Sequence, residues 1–454
     1  PASPASPEGP RWRAQEVSLM VGSVLLITLV AFEELASTSI MPSVVADLGA
    51  ERWFSLASGA ALAAQLAATV VAGLACDWRG PRFVMAWGLA LFTSGLVVSA
   101  LAGTISVFVV GRLMMGMGGG LLIVPLYVLI GSVADASHRP AFFAAFSLAW
   151  VVPSLVGPVI AGYVVRAFGW HPVFGFVPLL TAVAVLPLVG ILRGLTHPPS
   201  PRPPKLWAMA RTGAVAGTGA ALIQLAGALD SAWRSVVVAV FAAGVAMCAW
   251  SLPRLLPRGA FALRRGIGAG VMARLLAMGV QAGAGVFIPL LLQRIHGWPE
   301  HTATLWVSAG SLAWAAGAVI QSRVKSPGGR SRLPLAGTVL LAAGVASLAA
   351  LLTPAVPLWV ALAGWMAAGL GTGLFHSSLS VLALEITPAA KHGKVASWLQ
   401  VADSAGPAIE LASVSVLMGV WADSGATGAL AYAPAYVVAV VLACAAVAAS
   451  RRIA

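Results

Sequence analysis

Residues 17–48 read VSLMVGSVLLITLVAFEELASTSIMPSVVADL, and this stretch decides how the rest of the chain is interpreted. A helix of about 30 residues is roughly 45 Å long, which is enough to cross a bilayer with some tilt. Its apolar run is interrupted near the midpoint by two adjacent carboxylates, Glu33 and Glu34. An ionised side chain at the bilayer centre costs about 3 kcal/mol, so we expect these acids to face a cavity and to have a function.

Composition places the whole chain in the membrane class. Of its 454 residues, 59% are hydrophobic and 9% are charged, which predicts a chain solvated largely by lipid. The net charge of +13 could indicate nucleic acid, but the basic residues lie in short segments between apolar runs, the pattern that sets membrane orientation. We therefore predict no nucleic-acid partner. The three cysteines predict neither a disulfide framework nor a metal site.

Fourteen segments are long and apolar enough to be predicted as spanning helices. They cover residues 17–48, 53–76, 82–102, 105–134, 139–168, 171–192, 207–228, 234–252, 267–295, 302–322, 333–353, 357–386, 393–420 and 430–450. The prediction is an all-α membrane protein with a disordered N-terminal tail, two six-helix bundles and a basic linker that carries two additional helices. The corresponding boundaries are 1–16 for the tail, 17–193 and 267–454 for the bundles, and 194–266 for the linker.

The distribution of positive charge tests this number of helices. If the N-terminus is cytoplasmic and every segment spans, nearly all of the 27 Lys and Arg, Arg274 included, count as charges of cytoplasmic loops, tails or helix ends. The exceptions are Arg52, Arg112, Arg166, Arg234 and Arg294. Losing one of the two middle segments would invert the second half, so an even number is predicted. Because 207–228 is the weaker of these two, twelve spanning helices with a non-spanning amphipathic linker remain an alternative.

An internal repeat supports the division into two bundles. Nearly the same number of residues separates Gly157 from Gly406, each followed by proline, as separates Pro42 from Pro289. Parallel repeats of this kind are related by an axis along the membrane normal, and they place the substrate site between the halves at mid-membrane.

Short motifs occur in order on the predicted helices. Residues 73–82 read GLACDWRGPR, residues 111–120 read GRLMMGMGGG, and residues 157–162 read GPVIAG. In the first helix, Glu33 lies nine residues before Pro42. Together these elements resemble those of the major facilitator superfamily, and within it the fourteen-helix drug:proton antiporters. Trp78 stands where the family has a basic residue, and Ala161 where it has glycine.

The resemblance implies a major facilitator fold and a proton-coupled exporter. It favours Glu33 as the principal proton carrier, with Glu34 second, and it implies that Arg112 tunes or receives that proton. Adjacent helical residues point about 100° apart, so the two glutamates are not expected to face the same centre of a cavity.

Each remaining motif has a physical interpretation. Residues 73–82 are predicted to be a loop in which Gly73 permits close helix approach, Asp77 caps the third helix and Gly80 permits a tight turn. With Arg79 and Arg82 this loop would clamp one conformation of the bundles; the alternative is an ordinary solvated loop. The second-half counterpart has Gln321 in place of the acid, so a weaker clamp is expected there. In the fifth helix, Gly157, Pro158 and Gly162 would permit bending and close packing that serve the conformational change. The alternative is that they only form a tight helix pair.

Several polar residues in the second half are candidates for a substrate cavity. Asp403 shares a helix face with Gln400, and Glu410 lies two turns further on. A structural role for one of these acids is the alternative, as is a packing role for His376. Gln281 holds in the seventh helix the place that Glu34 holds in the first. Because acids outnumber bases in the predicted cavity, we expect cationic or neutral amphiphilic substrates.

The sequence thus predicts a secondary active exporter of amphipathic or lipophilic small molecules that exchanges them for protons by alternating access. It would need no cofactor beyond the proton gradient, and would act as a monomer among the lipids of the bacterial inner membrane, with both termini cytoplasmic. The alternatives are a dedicated lipid, glycolipid or metabolite transporter, or a non-transporting accessory protein. An enzyme is not predicted, because the chain offers no nucleophile with a base and no metal cluster.

Overall fold

The computed structural model describes residues 12–50, 53–194, 206–226, 229, 234–298, 300–324, 326–353, 356–422 and 428–453. Within these residues the chain is helical and has no strand, which confirms the predicted all-α class. Residues 1–11 of the predicted tail lie outside the described part of the chain. The first helix begins at Ala14, so the tail is shorter than expected at its C-terminal end.

The first half contains α1 (Ala14–Asp47), α2 (Phe54–Arg79), α3 (Pro81–Ala100), α4 (Ile105–Val133), α5 (Arg139–Phe168), α6 (His171–Gly175) and α7 (Val177–Gly194). Two helices follow, α8 (Leu206–Ala226) and α9 (Arg234–Leu255). The second half contains α10 (Ile267–Arg294), α11 (Glu300–Arg323), α12 (Pro327–Ser347), α13 (Leu358–Glu385), α14 (His392–Ala422) and α15 (Ala433–Ser450).

Most boundaries agree with the sequence prediction to within a few residues, and the differences have local causes. The segment predicted over 171–192 is interrupted at Phe176, where α6 ends and α7 begins. The segment predicted over 333–353 starts earlier, at Pro327, since proline is well tolerated in the first turn of a helix. That segment ends in a 3₁₀ turn over Leu348–Leu352.

In the described residues, eleven helices are long and apolar enough to cross a membrane. Three further long helices are not in that set, and they are Leu206–Ala226, Glu300–Arg323 and His392–Ala422. The protein is therefore a multi-pass membrane protein, while the full number of fourteen spanning helices stays a prediction.

The helices of the two halves pack in matching pairs. In the first half α1 packs on α5 and α7, α2 on α4, and α3 on α4. In the second half α10 packs on α14 and α15, α11 on α13, and α12 on α13. Glycines allow the closest approaches: a methyl group on Gly95 would overlap the backbone of α4 at Met115, and one on Gly344 would overlap α13 at Gly364. The linker helices α8 and α9 pack on each other, and α8 packs on α2.

The two halves are joined at one end of the molecule, where α2 packs on α14 and α5 packs on α11. The Ser397 hydroxyl donates to the carbonyl oxygen of Thr69 at 2.8 Å. The buried Gln321 side chain donates to the carbonyl oxygen of Pro140 at 3.0 Å. The C-terminal ends of α2 and α11 and the N-terminal ends of α5 and α14 therefore meet, and we call this the joined end.

Candidate functional site

An ion pair inside the first half brings together the two residues that the sequence singled out most strongly. Arg112 of α4 donates from Nη1 to Oε1 of Glu33 at 2.5 Å, and the Ser37 hydroxyl donates to the same oxygen. Arg112 and Glu33 are 2% and 5% exposed. Because both side chains are buried, each charge is stabilised mainly by the other, and removing either partner would leave an uncompensated charge in a medium of low dielectric constant.

Arg112 also contacts the backbone of the neighbouring helix α2. Its Nε donates to the carbonyl oxygen of Ala57 at 3.4 Å, and its Nη2 lies 3.5 Å from the carbonyl oxygen of Ser58. The guanidinium is thus bound by a carboxylate on one side and by backbone carbonyls on the other. A change in the charge of Glu33 would shift the balance between these two sets of partners.

A cavity of about 50 Å³ lies beside this ion pair. Its wall includes the polar residues Glu33, Glu34, Gln65 and Arg112, and apolar residues such as Phe92. Both glutamates border this cavity, and the expectation that they do not face the same centre stays a prediction.

A second buried cluster lies in the other half and is centred on Arg274 of α10, which is fully buried. Its Nε and Nη2 donate to the two carboxylate oxygens of Asp403, each at 2.7 Å. Its Nη1 donates to the hydroxyl of Ser380 at 2.6 Å. The forked geometry is that of a strong bidentate pair. Counting Arg274 among the charges of helix ends was therefore wrong, because it lies about two turns inside α10 and faces inward.

The Arg274 cluster also includes His376 and reaches the first half. Nη2 of Arg274 lies 2.6 Å from Nε2 of His376 and 3.4 Å from the hydroxyl of Tyr127 on α4. A guanidinium can only donate, so Nε2 is the acceptor in the contact with Arg274, and the same nitrogen lies 3.5 Å from Oδ2 of Asp403. His376 and Asp403, which the sequence proposed separately, are thus brought together by an arginine that the sequence analysis did not select.

The other second-half candidates lie apart from this cluster. The Gln281 side chain is nearly buried and accepts a hydrogen bond from the Thr372 hydroxyl at 3.0 Å. Gln400 is partly buried on α14. Glu410 is fully buried between α14 and α10, against Gly283. None of the three borders the cavity beside Glu33, and their roles as substrate contacts stay predictions.

The structure corrects the interpretation of residues 73–82. Residues 73–79 are the last two turns of α2, and only Gly80, with a φ of 83°, forms the turn before α3. Asp77 does not cap α3. Its carboxylate accepts from the backbone N–H groups of Gly393 at 3.1 Å and Lys394 at 3.2 Å. These belong to the first turn of α14, where unpaired N–H groups and the helix dipole favour an anion.

This contact joins the two halves, so we call the contact of Asp77 with the start of α14 the Asp77 clamp. Gly73 is part of it, since a methyl group there would lie only 3.1 Å from the carbonyl carbon of Gly393. Arg79 stacks over Trp78 and Phe83, and among the described residues it forms no ion pair across the halves. Arg82 is exposed on α3.

The glycines and prolines of α5 permit bending, but they do not all form close helix contacts. Pro153 and Pro158 lie within the helix, where each removes a backbone hydrogen bond and permits a bend. A methyl group on Gly157 would lie 3.6 Å from Phe32 of α1, which is an ordinary contact distance. One on Gly162 would meet no atom of the described residues within 4 Å, so the expected close packing at Gly162 is wrong.

We expect Asp77→Asn to loosen the clamp while the protein still folds and inserts. Hydrogen bonds to a charged group contribute about 1.5–3 kcal/mol, and losing part of this from one conformation shifts the population towards the other several-fold. Cys76 reports the change directly, because it is 2% exposed and its Cβ faces Gly393. With Cys248 and Cys444 replaced by Ala, N-ethylmaleimide should label Cys76 several-fold faster in Asp77→Asn.

The matched control is Lys394→Ala, since Lys394 contributes its backbone N–H to the clamp while its side chain stacks on Trp398. Labelling should be unchanged in this variant. An equal labelling rate in Asp77→Asn and the parent protein would contradict a role of Asp77 in holding the halves together.

Comparison with known proteins identifies the family. The sequence model of the Major Facilitator Superfamily matches residues 23–278, more than half of the chain, and the protein belongs to this superfamily. A probable multidrug-efflux transporter of Mycobacterium tuberculosis strain H37Rv is 28% identical over 443 residues, which are 92% of this chain and 88% of that protein. The multidrug transporter protein MdtP of Bacillus subtilis is 25% identical over 183 residues, 40% of this chain and 33% of its own length.

Solved structures share the fold along nearly the whole chain. The proton:xylose symporter XylE has a TM-score of 0.63 at 18% identity, with 94% of both chains covered. A bacterial homologue of the iron transporter ferroportin, in an outward-facing state, has a TM-score of 0.68 at 14% identity, covering 97% of this chain and 100% of that one. The protein is thus a transporter with the major facilitator fold, similar in sequence to multidrug-efflux proteins.

Proposed function

We propose that this protein exports amphipathic or lipophilic small molecules in exchange for protons. The observation that carries the proposal is the buried ion pair between Glu33 and Arg112 on the wall of a cavity that also holds Glu34. A carboxylate that is buried at a cavity can exist in two protonation states, and each state favours a different arrangement of its partners. Such a group can couple proton movement to a conformational change.

The local geometry suggests how the coupling works. When Glu33 binds a proton, its attraction for Arg112 falls, and the guanidinium is left with the carbonyl oxygens of Ala57 and Ser58. Arg112 remains close enough to attract the carboxylate again when the proton leaves. Protonation of Glu33 therefore changes how strongly α1 is bound to α4 and, through Arg112, to α2. All three helices belong to the first half.

The chemistry of the cavity favours a substrate with an apolar body. Its wall includes Val30, Leu62, Phe92 and Met115 beside the polar groups. Glu34 adds a second acid to the cavity wall beside the Glu33–Arg112 ion pair. This arrangement suits lipophilic cations and neutral amphiphiles.

We place the joined end on the cytoplasmic side of the bacterial inner membrane, with both termini cytoplasmic. The concentration of Lys and Arg in segments that the sequence assigns to that side supports this orientation. With the joined end closed, substrate would leave outwards in this conformation. A monomer without a cofactor, and without enzymatic activity, remains our expectation.

Inside-out membrane vesicles test the proposal. With an acidified lumen, vesicles that contain the protein should accumulate ethidium, a fluorescent lipophilic cation, and should lose this activity when an ionophore collapses the pH gradient. Vesicles without the protein are the control. Ethidium accumulation that does not depend on the pH gradient would contradict proton coupling. Transport of a glycolipid without transport of ethidium would favour the dedicated lipid transporter.

A further inference from the structure

The contact between α10 and α14 contains a buried acid that the mechanism above does not use. The two helices touch closely near its centre, since a methyl group on Gly279 would lie 2.8 Å from the carbonyl oxygen of Gly406. On one side of this point lies the Arg274–Asp403 ion pair. On the other side, about one turn along, lies Glu410.

Glu410 has no polar partner in the described part of the chain. It is 0% exposed, and neither carboxyl oxygen makes a hydrogen bond. The carboxyl group points at α10, because a methyl group on Gly283 would overlap it. Gly283 therefore leaves the space that the Glu410 carboxyl group occupies, while no described residue forms a hydrogen bond with that group.

The charged groups on neighbouring helices are engaged elsewhere or are not bonded to Glu410. Arg274 is saturated by Asp403, Ser380 and His376, and Arg294 donates to the hydroxyl of Tyr432. The other titratable or basic groups with described side chains on the elements that pack against α14 are Cys76, Asp77 and Arg79 on α2, Arg112 and Tyr127 on α4, Cys248 and Arg254 on α9, Glu385 on α13, Lys391 in the 3₁₀ turn before α14, Tyr432, and Tyr436 and Cys444 on α15. None of them forms an ion pair or hydrogen bond with Glu410 among the described residues.

We infer that Glu410 is a second proton-binding site of the transporter, loaded in this conformation and emptied in the alternate one. An isolated carboxylate in a dry interior is so unfavourable that the group takes up a proton instead. A neutral carboxylic acid still leaves its polar atoms unsatisfied, at a cost of about 1–3 kcal/mol. This residual cost would be relieved when water reaches the site. The inference rests on the proposed proton-coupled function.

A proline within α14 can let the helix bend and so admit water to Glu410. Pro407 lies inside α14, and without an N–H it cannot bond to the carbonyl oxygen of Asp403, four residues earlier. The helix can therefore bend between Asp403 and Glu410. The segment with Asp403 stays anchored to Arg274 while the segment with Glu410 moves away from Gly283, so the acid can meet water and release its proton.

Infrared spectroscopy of the purified full-length protein tests the protonation state without any substrate. At neutral pH the wild-type spectrum should contain a carbonyl band of a protonated carboxylic acid that Glu410→Gln and Glu410→Leu both lose. Glu385→Gln, which changes an acid in a partly exposed pair with Arg330, should leave that band in place. An identical band in wild type and in both Glu410 variants would overturn the inference.

A proton count separates a coupled site from a permanently neutral one. Glu410→Leu should fold with an unchanged or higher Tm, because an apolar side chain replaces an unpartnered polar one. In the vesicle assay it should exchange one proton fewer per ethidium than wild type. A marked fall in Tm, or an unchanged proton count, would overturn the inference. If wild-type vesicles move no ethidium, the proposed function fails, while the infrared comparison still decides the state of Glu410.

Discussion

Replacing Glu33 by glutamine should abolish export driven by a pH gradient while binding of a neutral lipophilic dye such as Nile red persists. The amide has nearly the volume of the protonated acid, and its oxygen can still accept from Arg112 and Ser37, which both donate to Glu33. What it cannot do is ionise. Since the proposed cycle needs Glu33 to alternate between two charges, the variant should be held in the state that resembles the proton-loaded carrier.

The neighbouring acid provides the matched control for this experiment. Glu34→Gln removes the same charge from the same cavity but leaves the ion pair with Arg112 intact. We expect it to retain pH-driven export of ethidium and to bind this cation less tightly. Export is measured in acidified inside-out vesicles, and binding is measured by dye fluorescence with purified protein.

Two results would contradict the assignment in different ways. If Glu33→Gln exports normally and Glu34→Gln does not respond to the gradient, Glu34 is the proton carrier. If the double variant still exports, the coupling acid lies in the second half, at Asp403 or Glu410.

The helices could be predicted from the sequence because they depend on local properties. Long apolar runs broken by short polar segments are sufficient to place a spanning helix, and the bounds of α4 and α5 differ from expectation by about one residue. The spacing of Glu33 before Pro42 and the arginine of α4 were recognisable for a similar reason, because each belongs to a short motif on one helix.

Contacts between distant helices could not be derived in this way. Asp77 was expected to cap the next helix, yet it accepts hydrogen bonds from the start of α14, more than 300 residues later in the chain. Arg274 was missed for the same reason, because its partner Asp403 lies on another helix. Its position inside an apolar run was the available signal, since an arginine in the middle of a spanning segment generally has an acidic partner.

Arg274→Ala should cause the largest loss of stability among the variants considered. Arg274 is fully buried and makes two hydrogen bonds to Asp403. Removing one partner of a buried ion pair typically costs about 3–5 kcal/mol, because the remaining charge is left without compensation. The loss of a large side chain from a packed site adds to this cost. The expected result is a clear fall in Tm, measured by thermal unfolding in detergent.

The matched control is Arg330→Ala, which breaks a pair between Arg330 and Glu385 at 3.3 Å on partly exposed side chains. Pairs near the surface contribute about 0–1 kcal/mol, so Tm should change little. Combining Arg274→Met with Asp403→Leu should recover much of the lost stability, since neither charge then remains buried alone. If Arg274→Ala and Arg330→Ala lower Tm equally, the Arg274 pair does not stabilise the fold. If the apolar double variant is stable but no longer exports, the buried charges of this cluster are needed for the transport cycle and not for folding.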